Sequence, residues 1–318
     1  MKRLLAFSNN ANNLEGTRLK QLLLTLCFML TLHANAQSCE PVSTECIEVG
    51  QWQFGLAVGA GVLTNPLSGG GNIPLLVIPY VSYYRDRFFL DNTTLGYTFN
   101  SSRHFDVSII VEPNAEQAYF ERFHVRNLIA PDSFFAASGT EVDSGIVPDG
   151  SLSDNELSPT VPKISIDDIS KRKWTIDAGV LAHWYVDDGA KFTVSWLKDL
   201  KGVYNGQHAT LSYSQQIALP DDISAKLQLK LGAHWQSEQL VDYYYGLRSR
   251  DSKDRKLYYQ GKSTLSPFIA LAFNYRLNAR WQFKVSAKHK FLGAGISDSP
   301  LVKHQHTSSI FVGGLYEF

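Results

Sequence analysis

This sequence has no surplus charge, few cysteines and no long apolar run. Its 30 Lys+Arg balance 30 Asp+Glu, whereas a nucleic-acid binder carries a basic excess to neutralise phosphates. Charged residues are only 19% against 44% hydrophobic, which excludes a chain kept disordered by its polarity. Its 3 cysteines show no zinc-ligand spacing with histidine. P-loop, dinucleotide-binding glycine pattern and heptad repeat are all missing, so no cofactor is expected. After Gly50 no apolar stretch approaches the roughly 20 residues of a spanning helix. Mean hydropathy just below zero would suit a water-soluble chain.

What is present first is an export signal. Arg18 and Lys20 form a basic flank, residues 22–32 an apolar run, and Ala34-Asn35-Ala36 a small-x-small cleavage site. These are the three parts of a secretory signal peptide. Residues 1–36 are therefore expected to be the signal with a polar extension, which a misassigned upstream start accounts for. Residues 37–50 then form a short periplasmic segment. Cys27 leaves with the signal. Cys39 and Cys46 remain as an even pair in an oxidising compartment, where a disulfide between them persists.

The rest of the chain alternates. Residues 52–63 place Trp52, Phe54, Leu56, Val58, Ala60 and Val62 on one face, with glycine, alanine and glutamine on the other. Residues 281–291 set Trp281, Phe283, Val285, Ala287 and Phe291 against Gln282, Lys284, Ser286, Lys288 and Lys290. The pattern recurs at 104–112, 191–197 and 225–235, and less cleanly at 75–84, 174–186, 209–219, 266–275 and 310–318. A side-chain period of two is the signature of strands.

Strand length and aromatic spacing then choose between a soluble sandwich and a membrane barrel. Soluble strands average about five to six residues, while several here run to the roughly 9–11 needed to cross a bilayer at a tilt. Aromatics are abundant, with 15 Tyr, 18 Phe and 6 Trp. Trp174 and Trp184 share a face ten positions apart, as do Trp281 and Phe291. Ten residues at about 3.3 Å each, tilted by about 40°, climb roughly 25 Å, the separation of the aromatic girdles of an outer-membrane barrel. The chain also ends on Phe318, with Tyr316, Val312 and Ile310 on one face, resembling the terminal-strand signal of bacterial outer-membrane proteins. The expected fold is all-β: a transmembrane antiparallel up-and-down barrel of about twelve strands over residues 51–318.

Loop lengths orient it, because such barrels have short periplasmic turns and long external loops. Short turns are expected at 187–189, 220–222 and 277–279, and long connections at 113–172, 239–262 and 292–309. The N-terminus reaches the periplasmic side only if residues 87–99 hold one further strand, turned at Asp91-Asn92. Asp149, Asp154 and Glu156 lie in the 113–172 loop without the spacing of an EF-hand, so a solvated loop is expected there.

Val241-Asp242-Tyr243-Tyr244-Tyr245-Gly246, followed by Tyr258-Tyr259 and Ser266-Pro267-Phe268, resembles the D-Y-Y-Y-G segment of the MltA-interacting protein (MipA/OmpV) family. Asp298-Ser299-Pro300-Leu301-Val302 is similar to its D-S-P-[IL]-V motif. Arg172-Lys173-Trp174, Asp177-Ala178-Gly179, Tyr204-Asn205-Gly206-Gln207 and Ile78-Pro79-Tyr80 extend the match. The resemblance implies a non-enzymatic outer-membrane scaffold, partnered by a murein lytic transglycosylase and a penicillin-binding protein, with porin-like and adhesin-like relatives. The motif residues are expected to fold against one another across the barrel mouth.

Two other functions can be read from the residues. Lys226, Lys230, Lys284, Lys288 and Lys290 on inward faces would make a cationic pore, unless side chains fill the lumen. His306 and Ser308, with Glu317 as the acid, would make a lipid hydrolase.

Overall fold

The computed structural model describes residues 49–121, 127, 164–186, 189–217, 219 and 225–318. Residues 1–36, expected to be a signal peptide, and Cys39, Cys46, Asp149, Asp154, Glu156 and the turn residues at 187–188 and 220–222 lie outside them. All described residues belong to one compact unit, Val42–Phe318.

The strands are β1 (Trp52–Leu63), β2 (Ile73–Pro74), β3 (Val77–Arg85), β4 (Phe88–Asp91), β5 (Thr94–Ser101), β6 (Phe105–Pro113), β7 (Ile176–Tyr185), β8 (Ala190–Asp199), β9 (Gln207–Ile217), β10 (Ala225–Gln236), β11 (Thr264–Arg276), β12 (Trp281–Phe291) and β13 (His306–Glu317). The two-residue β2 pairs only with β1. The other twelve run antiparallel in chain order, and β13 closes on β1. The twelve-stranded barrel expected from alternation is therefore present, including the extra hairpin of β4 and β5.

Burial is inverted relative to a soluble protein. Outward positions are apolar and exposed, such as Trp184 at 57% and Trp196 at 58%, while inward Ser286 is fully buried and Lys284 is 3% exposed. Such a wall suits hydrocarbon outside and a polar lumen inside. Trp174, two residues ahead of β7, and Trp184 near its other end are both exposed, as are Trp281 and Phe291 at opposite ends of β12, so the girdle spacing holds.

The short β4 leaves β3 partnered on that side only at residues 82–85. Beyond them, the Val81 N–H donates to the Asn92 Oδ1 at 3.3 Å. Two residues on, the same edge carries Pro79, which has no N–H to leave unpaired. Asp86 and Asn92 take left-handed backbone, φ 48° and 51°, as tight hairpin turns require.

One side of the lumen is packed with Ala57, Ile73, Leu75, Ile78, Tyr80, Phe311 and Leu315. The long connections gather at one mouth, which by the loop-length rule faces outward from the cell.

Candidate functional site: the mouth cover and the lumen

The D-Y-Y-Y-G stretch is helical, where a loop was expected. Helix α1 (Glu238–Tyr245) starts at Ser237, whose side chain accepts the Leu240 N–H, an ordinary N-cap. Leu240, Val241, Tyr244 and Tyr245 form its buried face. They pack with Leu67, Ile164, Ile169, Tyr204, Leu292, Leu301 and Ile296 of α2 (Ala294–Ser297). These residues come from five separate connections, so the cluster is a second core lying across the mouth.

Polar bonds fix that core. Arg172 is almost fully buried and pairs with Asp251 at 3.0 Å. Its guanidinium also donates to the carbonyls of Gly246 at 3.0 Å, Ser170 at 3.2 Å and Tyr244 at 3.4 Å. Asp242 accepts the Gly261 N–H at 3.0 Å and pairs with Arg248. The Tyr243 hydroxyl accepts the Lys173 N–H at 2.7 Å, and Tyr245 donates to Glu116. Gly246 caps the helix, its N–H reaching the Asp242 carbonyl at 3.0 Å. Ser299 donates to the Tyr245 carbonyl at 2.7 Å, which ties the two motifs together. Asp298 is exposed at the end of α2, and Pro300 follows half-buried.

Below the cover, Asp177 on β7 accepts from the Tyr204 hydroxyl and the Asn114 amide, each at 2.6 Å. His208 Nε2 lies 3.0 Å from the same carboxylate. Burial, then the charge of Asp177, pushes the Tyr204 hydroxyl up. Burial, then Glu116, does the same at Tyr245, so both remain hydrogen-bond donors. Glu116 and Asp251 were not singled out from sequence, since a lone carboxylate in a loop carries no spacing that names its partner.

Tyr244 and Tyr245 therefore differ sharply. The Tyr244 hydroxyl is buried with no hydrogen-bond partner among the described residues, so Tyr244→Phe is expected to be neutral or mildly stabilising. Tyr245→Phe strips the buried Glu116 of a donor and is expected to cost about 1–3 kcal/mol. The temperature at which the folded, heat-modifiable gel band is lost ranks the two; equal effects would refute the assignment.

The lumen holds a cavity of about 280 Å³. Of the five lysines expected to line it, Lys230, Lys288 and Lys290 do. Lys284 is buried elsewhere on the wall, and Lys226 is exposed at the far end of β10. Lys288 Nζ lies 4.8 Å and Lys230 Nζ 5.7 Å from the Phe268 ring centre.

The hydrolase arrangement is not assembled. Ser308 Oγ lies 2.8 Å from His289 Nδ1 of the neighbouring strand, and its hydrogen bond is not with His306. Same-face residues on one strand are about 6.6 Å apart, whereas cross-strand partners approach to about 5 Å. Glu317 sits at the opposite end of β13, bonded to Gln282 at 2.9 Å. Tyr316 packs on Trp281 and Phe318, while Phe318 is bonded through its N–H to the Phe54 carbonyl at 3.0 Å. The terminal-strand residues thus sit at the seam that closes the barrel.

A family model described as MltA-interacting protein MipA matches residues 56–318. Outer membrane protein Omp26La of Vibrio anguillarum is 25% identical over 139 residues, 44% of this chain and 52% of that protein. The MltA-interacting protein of Escherichia coli (strain K12) is 30% identical over 89 residues, 28% of this chain and 36% of that protein. This chain thus spans about half the length of the first relative and about a third of the second. YiaT of Escherichia coli (strain K12) is 23% identical over 266 residues, 83% of this chain and 91% of that protein.

Proposed function

The chain belongs to the MltA-interacting protein MipA family, and on that premise we propose that it is a scaffold tethering a murein-remodelling enzyme. It is an outer-membrane barrel, as its relatives are named. One relative's name states an interaction with MltA, and the partner class carried over to this chain is a murein lytic transglycosylase. A penicillin-binding protein is the second proposed partner, and lipid surrounds the wall.

The observation that carries this reading is the mouth cover. A barrel whose outer mouth is crossed by a packed core, and whose lumen is partly filled by a second apolar cluster, is built as a fixed body more than as a conduit. The D-Y-Y-Y-G and D-S-P-L-V residues, Asp242 to Gly246 and Asp298 to Pro300, serve as the internal fastening of that cover. The enzyme contact falls to the opposite, periplasmic end, where the short turns and the N-terminal segment emerge. The motifs at the outer mouth then need not touch a periplasmic partner.

Purified lytic transglycosylase is expected to be retained by the immobilised, heat-modifiable barrel. It is expected to be retained equally by a variant with a loosened cover. No retention above a protein-free support would overturn the scaffold. The three lysines on the cavity favour a second reading, an anion channel. Native protein in planar bilayers is expected to be silent, and discrete conductance steps would favour the channel instead.

A further inference from the structure

On the outer wall near the mouth, β8 turns Val194 and then Trp196 toward lipid, exposed by 48% and 58%. The next outward position toward the mouth is Lys198, also exposed, and Leu200 and Lys201 follow it. Just ahead of the neighbouring strand β7, Trp174 stands at the same end, with Lys201 Nζ 4.2 Å from its ring centre. Apolar residue, tryptophan, then lysine is the order in which a protein meets hydrocarbon, interface and headgroup. The outward positions of β7, β8 and β9 carry no carboxylate among the described residues, and Asp199, which lies between the two lysines in sequence, is buried.

The turn that presents Lys201 is rigid. Buried Asp199 accepts the Thr175 hydroxyl at 2.7 Å and the N–H groups of Tyr204 at 2.7 Å and of Lys201 and Asn205 at 3.0 Å. Gly202 and Asn205 supply the left-handed backbone, φ 68° and 55°. Its backbone is already ordered before a ligand arrives, which limits the entropy lost on binding.

We propose that this face of β7 and β8 binds a phosphorylated lipid of the outer leaflet. Its phosphate sits between Lys198 and Lys201, Trp174 lies at the level of the headgroup, and an acyl chain runs down over Trp196 and Val194. The charge-assisted contacts are those of ammonium groups with phosphate oxygens.

The test is native mass spectrometry of the barrel taken from nanodiscs of phosphatidylcholine doped with bisphosphorylated lipid A. The native protein is expected to retain lipid A. At about five-fold per lysine near an anionic surface, Lys198→Gln/Lys201→Gln retains roughly 25-fold less. Lys253→Gln, an exposed loop lysine, retains it fully, and so does the charge-keeping Lys201→Arg. Heat-modifiable mobility checks that each variant is folded. Undiminished retention by the double variant would overturn the site, as would equal retention of lipid A stripped of its phosphates. Binding of inorganic phosphate with no lipid retained would overturn the lipid assignment.

Discussion

Arg172→Met is expected to unseat the mouth cover, at a cost of about 3–5 kcal/mol. The substitution removes the guanidinium that bonds the Tyr244 and Gly246 carbonyls at the end of α1. It also leaves Asp251 buried without its principal cation. Loss of a buried partner costs more than the net worth of the pair, because the remaining charge stays desolvated. The Val241 N–H, bonded to the Ser237 carbonyl, and the Gly246 N–H, bonded to Asp242, should then exchange with solvent roughly two to four orders of magnitude faster. The barrel wall, whose ladders do not involve Arg172, should keep its protection. Unchanged exchange in α1 would show that the apolar cluster alone holds the cover.

The pH dependence separates this cause from general loosening. Burial alone would raise the Asp251 carboxyl, but the hydrogen bond and charge of Arg172 outweigh it and hold it below the ordinary value of about 3.9. A carboxyl depressed in the folded state stabilises above the unfolded pKa, and that contribution is lost as pH falls through the folded one. The native cover should therefore hold at neutral pH and loosen below about pH 4. In Arg172→Met the two largest lowering causes are gone, leaving the Arg248 N–H and the Arg250 charge to oppose burial. The depression therefore shrinks, and the acid-induced loosening of the cover should be smaller than in the native protein. Parallel pH profiles for the two proteins would refute the pairing as the cause.

The wall was legible in the sequence because a lipid-facing strand writes its environment into every second residue. Trp52, Phe54 and Val58 on β1 all face outward and exposed, as alternation alone required. Helix α1 was not legible. Its eight residues are too few to set a helical period against the surrounding loops, and three consecutive tyrosines fit strand, turn or helix. The network under the cover was hidden for another reason. Arg172 and Asp251 are 79 positions apart, and Tyr245 and Glu116 are 129 apart; only the closed wall brings their connections together. The His306–Ser308 pair read from a shared strand face is not the one formed, because the closer cross-strand neighbour of Ser308 is His289.

The second large effect is expected at the seam that closes the barrel. Strands β1 and β13 pair through residues 55–63 and 309–317, the two ends of the wall and the contacts most distant along the chain. Phe311 is fully buried on the inner side of this seam. Gly59 and Gly313 are register partners across it. A Cβ on Gly59 would stand 2.8 Å from Phe311 Cζ and 2.2 Å from the Val312 carbonyl oxygen. One on Gly313 would stand 2.6 Å from the same ring atom and 2.4 Å from the Val58 carbonyl oxygen. The glycine pair is thus the slot that receives the tip of the Phe311 ring. Phe311→Ala should cost about 3–5 kcal/mol by emptying that slot, yet leave closure possible. Gly59→Val should be worse, since it displaces the ring and forces the two strands apart. A barrel that cannot close exposes unpaired backbone edges where no water can satisfy them. The expected result is loss of the heat-modifiable band after refolding of Gly59→Val, with a weaker but folded band for Phe311→Ala. The two changes act on one contact, so their combined cost should fall short of the sum. If Gly59→Val refolds as fully as the native chain, the seam does not depend on the slot.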